Sequence, residues 1–177
     1  EPRYGEQWAL KAIRMPELWA QPIINSKRPV IAILDTGVDT EHPDLKANLL
    51  PGYNAADESS DVTDNNGHGT HCAGIAAGVG SNNIGITGAN SNALILPIKI
   101  VDSEGFIWMD AIIKGVDYAI AQGADIISMS FGGARDNLNE DSEYEVMKTA
   151  SNSAILVAAA GNNNMCMKQS HNPIHSD

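Results

Sequence analysis

Basic residues are scarce: 11 Lys and Arg face 22 Asp and Glu, a formal charge of −11. A surface of that sign repels nucleic acid and anionic membranes, so no nucleic-acid partner is expected. Cysteine is nearly absent. Cys72 and Cys166 are the only two, too few for a disulfide scaffold, and they fix neither their own pairing nor the compartment. No apolar run approaches the roughly 20 residues that span a bilayer. No leader-like segment opens the chain, and Glu1-Pro2-Arg3 reads as a mature or trimmed terminus. What remains is 43% hydrophobic and 19% charged over 177 residues, enough for one globular domain with a substantial core. The acidic excess reads either as solubility or as oxygen-rich loops for cations.

Short apolar runs alternate with helical patterns. Val30–Leu34 is continuous and β-branched, as expected of a strand buried on both faces. Residues 93–101, 125–131 and 154–160 read the same way, the last as an inner strand, and 49–54 reads as a weaker strand. Residues 69–79 form a small-residue helix built to pass close to other backbone. Ile112, Ile113, Val116, Ala119 and Ile120 set a helix over 109–122. Asp110 is its expected N-cap and Gly123 its C′ residue. Residues 142–153 form a third helix. The alternation predicts an α/β fold: a doubly wound, mostly parallel sheet with helices on both faces. Ligands bind beyond the carboxyl ends of such strands. That rule brings Asp35, the helix-opening His68, Ser130-Phe131-Gly132 and Gly161-Asn162 to one rim.

A carboxylate can fix a histidine in one tautomer, and that histidine can then act as general base toward a hydroxyl nucleophile. Asp35 and His68 fit those roles, and the Asn162 amide suits a developing oxyanion. Taken singly, an Asp after a strand, a His at a helix start and an Asn in a turn are all common structural residues. Their conjunction gives the signal.

Asp35-Thr36-Gly37, His68-Gly69-Thr70-His71-Cys72-Ala73-Gly74, Ser130-Phe131-Gly132-Gly133 and Ala158-Ala159-Ala160-Gly161-Asn162 stand in order along the chain. Together they resemble the subtilisin-like serine proteases, in the thermitase-like branch, over residues 4–162. The resemblance implies an endopeptidase working through an acyl-enzyme, with His68 as base, Asp35 as its orienter and Asn162 as oxyanion donor. It implies that Gly105-Phe106-Ile107 and Ser130-Phe131-Gly132 clasp an extended protein or peptide substrate. Ala159 and Gly161 would line the pocket for the residue before the cut. It makes His71 structural and Cys72 a free, non-catalytic thiol. It implies Ca2+ held by Asp44, Asn82 and the carbonyls of Gly80, Ile84 and Ile86, although Glu1 begins late for the family's N-terminal ligand. A partial match suggests a second calcium loop over 54–64, with Asn54, Asp57 and Asp61, and with Glu58 and Asp64 nearby; a solvated acidic loop is the alternative. Zinc on His68 and His71 lacks further ligands at a zinc spacing. Secretion to the exterior or the cell envelope is the family's usual fate, and acidic intracellular members exist.

The family's serine motif, Gly-Thr-Ser-Met-Ala, does not occur here; Ser81 follows a glycine only in a loop-like context. The expectation is therefore that the chain is the N-terminal part of one catalytic domain, with the sheet incomplete. A second polypeptide would carry the serine and the remainder of the fold. The competing class is an inactive fragment or a peptide-binding relative that does not cut.

Overall fold

The computed structural model describes residues 1–22, 27–132 and 140–162, the side chains of 140–143 excepted. In chain order the elements are α1 (Trp8–Ala12), α2 (Met15–Trp19), β1 (Val30–Asp35), β2 (Tyr53–Asn54), α3 (His68–Ala77), β3 (Leu94–Lys99), α4 (Met109–Ala121), β4 (Ile126–Met129), α5 (Glu140–Ala150) and β5 (Ile155–Ala158). The five strands form one parallel sheet in the order β2-β3-β1-β4-β5.

β1 lies at the centre because both of its faces are apolar. Ile31 and Ile33 point to one side, where they pack with Ala73 and Ala77 of α3, Val38, Leu45 and Ile95. Ala32 and Leu34 point to the other, against Val116 and Ala119 of α4, Ala150 of α5, Ile98 and Ile127. The sheet thus carries helices on both faces, as the alternation predicts. α3 can lie close because its buried residues are Gly69, Ala73, Gly74 and Ala77.

Pro97 is buried in the interior of β3, a position that would forfeit a ladder hydrogen bond. The cost is avoided by alternation. Leu94 donates toward β1 and Ile100 likewise, whereas Ile95 and Lys99 accept from Leu50 and Ala55 on the β2 side. The missing N–H of Pro97 therefore faces β2, and β2 is interrupted there: Leu49 bridges Ile95 and pairing resumes only at Tyr53.

Two sequence expectations change. Trp108, not Asp110, occupies the N-cap of α4, with no side-chain cap bond; Asp110 sits in the first turn, where its charge suits the helix dipole. Gly123 does follow the helix with a positive φ of 73°. Residues 154–160, read as an inner strand of a sheet incomplete in this chain, give β5, which pairs with β4 alone among the described residues and leaves the apolar Ile155 and Val157 65% and 50% exposed. The helices α1 and α2 have no counterpart in the periodicity, being only five residues each.

Leu34 is fully buried at the middle of the sheet. Leu34→Ala is expected to lower unfolding free energy by about 2–5 kcal/mol, measured as a shift of the urea midpoint.

Candidate functional site

β1 is flanked by β3 on one side and β4 on the other, the chain leaving toward opposite faces, so a crevice opens beyond its carboxyl end. Asp35 is the last residue of β1 and His68 the first of α3. The His68 Nδ1 lies 2.7 Å from Oδ1 of Asp35. Asp35 is 4% exposed while the His68 side chain is 49% exposed. A carboxylate at that distance places the proton on Nδ1. Nε2 is then the nitrogen left to accept another. Oδ1 of Asp35 also accepts the Thr36 N–H at 2.7 Å, and Oδ2 is buried without a hydrogen-bond partner among the described residues.

Two glycines let the backbone close around this pair. Gly37 has φ +112°, and a Cβ there would lie 2.5 Å from the Val62 carbonyl oxygen. At Gly69 a Cβ would lie 2.1 Å from the Gly37 carbonyl oxygen and 3.0 Å from Asp35 Cβ. Asp64, expected in an acidic cation loop, instead turns toward the start of α3. Its Oδ1 accepts the Thr36 hydroxyl (2.8 Å) and the N–H groups of Asn66 (3.0 Å) and Gly67 (2.9 Å). Its Oδ2 accepts the Thr70 hydroxyl (2.6 Å) and N–H (2.9 Å). Burial pushes the Asp64 carboxyl up. The Thr70 hydroxyl and the N–H groups of Gly67, Thr70 and Asn66 outweigh that and hold it at about 2.

Cys72, one turn along α3, is a free thiol with Sγ 3.9 Å from Nδ1 of His68. Asp35, His68 and Cys72 bring one oxygen, one nitrogen and one sulfur within 4.8 Å of one another. Burial pushes the thiol up; a hydrogen bond with Ser130 opposes it and the Asp35 charge adds to the rise. Cys72 is thus held as a neutral thiol, unlike an activated cysteine nucleophile. His71 diverges from His68. It lines a cavity of about 650 Å³ between α3 and the N-terminal segment, with Trp8, Leu10, His42 and Leu45.

Ser130, Phe131 and Gly132 follow the end of β4, and Ala159, Gly161 and Asn162 follow the end of the neighbouring β5. The two segments leave side by side, tied by the Ala159 N–H to the Met129 carbonyl at 3.1 Å. Asn162 is exposed, and no hydrogen bond joins it to His68 or Asp35 among the described residues. The other expected edge, Gly105-Phe106-Ile107, is a turn after β3 organised by Asp102. That carboxylate accepts the N–H groups of Glu104 and Phe106 (both 2.9 Å) and the Trp108 indole N–H (2.7 Å). Asp102 also donates its own N–H to the Phe106 carbonyl at 3.0 Å. The N–H and carbonyl of Phe106 are thus both engaged within the turn, and the residue is 56% exposed. The family resemblance points to this turn, but nothing in the sequence marks Asp102 as its anchor.

Asp44, 3% exposed, meets the loop 80–86: Oδ1 accepts from Asn82 Nδ2 at 2.8 Å and Oδ2 from the Ile86 N–H at 3.0 Å. Glu1, read from the sequence as starting late for this loop, does reach it. Its carboxylate accepts the N–H groups of Ser81, Asn82 and Ile84. No hydrogen bond among the described residues reaches the carbonyls of Gly80, Ile84 or Ile86. In the loop 54–64 one oxygen of each of three side chains closes a local turn. Asn54, Asp57 and Asp61 each accept the N–H two residues on, and Glu58 pairs with Lys114 at 2.6 Å. Gly133, Cys166 and the tract 163–177 lie outside the described residues.

A sequence model described as the Subtilase family matches residues 26–177. Thermitase of Thermoactinomyces vulgaris is 39% identical over 160 residues, covering 89% of this chain and 55% of that protein. The major intracellular serine protease of Bacillus subtilis (strain 168) is 40% identical over 158 residues, covering 86% of this chain and 48% of that protein. A solved protease structure from Pseudoalteromonas arctica superposes with a TM-score of 0.77 at 29% identity, covering 93% of this chain and 59% of that one. The chain spans about half the length of the curated relatives it matches.

Two outcomes are expected. Alkylation of Cys72 by iodoacetamide at neutral pH should run at least about ten-fold slower than that of an unhindered thiol, followed by mass spectrometry. The Asp64 carboxyl is held below its ordinary 3.8, so its stabilising contribution is complete above about pH 4 and is lost as pH falls through about 2. Acid unfolding of Asp64→Asn, followed by circular dichroism, should lack that part of the pH dependence.

Proposed function

The chain belongs to the subtilase family, and on that premise we propose that it supplies the aspartate and histidine of a serine endopeptidase whose nucleophile lies outside these 177 residues. The observation that carries the reading is the 2.7 Å bond from the buried Asp35 carboxylate to Nδ1 of a half-exposed His68. With Nδ1 committed inward, Nε2 takes the proton of an attacking serine hydroxyl, and Asp35 stabilises the imidazolium that results. The same proton then passes to the leaving amine. Asn162 donates its amide to the carbonyl oxygen as it becomes an oxyanion. The protein or peptide substrate lies extended between the turn at Gly105–Ile107 and the segment Ser130–Gly132, with Ala159 and Gly161 beneath the residue before the cut. The serine comes from a further segment or a second polypeptide. No helix among the described residues is long and apolar enough to cross a membrane. The location we propose is the exterior or the cell envelope. Fractionation tests this, since the relatives include proteins named as intracellular and as extracellular.

Ca2+ at the Asp44 loop belongs to the same proposal. The donors are hard oxygens: the Asp44 and Glu1 carboxylates, Asn82 Oδ1 and the three carbonyls that accept no hydrogen bond among the described residues. The Asn82 amide would turn so that its oxygen faces Asp44's side of the loop. The ion would cross-link the N-terminal segment to the loop after α3. A second, weaker calcium loop over 54–64 would draw on Asn54, Asp57 and Asp61, whose Oδ1 atoms also accept turn N–H groups, without Asp64, which faces α3.

A fluorophosphonate probe on the whole active protein should label one serine outside residues 1–177. Labelling inside them, or peptide cleavage that survives without labelling, overturns the assignment. Asp35→Asn should lower turnover about 10⁴-fold, the loss known for this change in serine triads. Asn162→Ala should lower it about 100- to 1,000-fold, the loss documented for the oxyanion asparagine of this family. EGTA should lower the melting midpoint by about 5–10 °C where calcium stood 100-fold above its dissociation constant, and Asp44→Ala should abolish the difference.

A further inference from the structure

Asp64 is charged, largely engaged and outside the reaction just described. A helix cap needs to satisfy one or two N–H groups, and the N-cap of α3 is Gly67, not Asp64. Asp64 nonetheless takes five hydrogen bonds, and their placement is informative. Oδ1 holds the hydroxyl of Thr36, the residue after Asp35; Oδ2 holds the hydroxyl and N–H of Thr70, two residues after His68. Each threonine passes the connection on. Thr36 Oγ1 accepts the N–H of Gly69, the residue after His68, at 2.9 Å. Thr70 Oγ1 accepts the N–H of Asp39 at 2.9 Å. The carboxylate therefore clamps the backbone on the far side of both Asp35 and His68. Asp64 is itself held, since Val62 accepts the Val38 N–H at 2.9 Å and Thr63 accepts Lys99 Nζ at 2.6 Å.

We propose that Asp64 is the positioning residue of the Asp35–His68 pair: by bridging Thr36 and Thr70 it fixes the end of β1 against the first turn of α3, and so sets the 2.7 Å bond that selects the Nδ1–H tautomer of His68. This rests on the endopeptidase reading only for its consequence in turnover. Losing a positioning group costs rate rather than substrate affinity, because geometry matters most where the proton moves.

The test uses the whole protein labelled with 15N-histidine, as the parent and as Asp64→Asn and Thr36→Val. The Asp64→Asn side chain keeps the shape but meets some of the same donors with an amide nitrogen, so Thr36→Val provides a second, milder break. At about pH 8, above the ordinary imidazole range, the His68 ring-nitrogen shifts report the tautomer. The Nδ1–H fraction is expected to fall at least about two-fold in both variants, and kcat to fall about ten-fold or more with KM unchanged. An unaltered tautomer in the folded variants overturns the proposal, as does a rise confined to KM. Should Asp64→Asn fail to fold, Thr36→Val decides. A tautomer shift in a protein that shows no peptidase activity in its parent form would overturn the endopeptidase reading and leave the positioning role standing.

Discussion

Everything at the site depends on two backbones meeting without a side chain between them. The carbonyl of Gly37 lies where a Cβ on residue 69 would have to be. Only that absence lets the start of α3 descend onto the end of β1, and only that descent brings the His68 imidazole to the buried Asp35 carboxylate. A methyl group at 69 would push the helix off, and no side-chain adjustment could restore a bond of hydrogen-bond length. The polar groups nearby then act on a contact that sterics have already permitted. Thr36 and Asp64 accept the first-turn N–H groups of Gly69 and Thr70, which would otherwise be orphaned. Electrostatics sets the details, and close packing sets the possibility.

The same logic explains what was legible in the sequence. The central strand shows because a run apolar on both faces has few other homes. Asp35 and His68 show because each stands beside glycine at a junction of regular structure. Asp64 does not show, because an aspartate in an acidic, asparagine-rich loop has the same composition whether it faces a cation, water or a helix. Its role lies in the direction of one carboxylate. Asp102 escapes for the same reason: its partners are two N–H groups and an indole, which leave no spacing signature. The reach of Glu1 into the loop 81–84 is a tertiary contact across most of the N-terminal half. The helices α1 and α2 are too short to carry a helical period, and α2 begins after an arginine with φ 60°. The expected cap at Asp110 failed because Trp108 already adopts the extended backbone that starts the helix.

Cys72 illustrates how a reactive group can be kept inert beside catalytic ones. It shares its surroundings with a histidine and a carboxylate, the neighbours that in other settings would activate a thiol. Here the imidazole nitrogen nearest the sulfur is already committed to Asp35. Partial burial and the aspartate charge both favour the neutral thiol. One carboxylate thus orients the histidine and restrains the sulfur.

The strand order has a consequence for how the chain acquires its shape. β1 precedes the other four strands in the chain and is the central one in the sheet, and its partners arrive late: Val30 meets Leu94, and Ile31 meets Ile126. Until those segments have emerged, the most apolar stretch of the sheet has no ladder to join. Contacts so distant along the chain are slow to close. During synthesis, Val30–Leu34 would therefore stay exposed at least until Leu94 has been made, and its second edge until Ile126 follows. An apolar strand left unpaired for that interval is the kind of surface through which a folding chain aggregates.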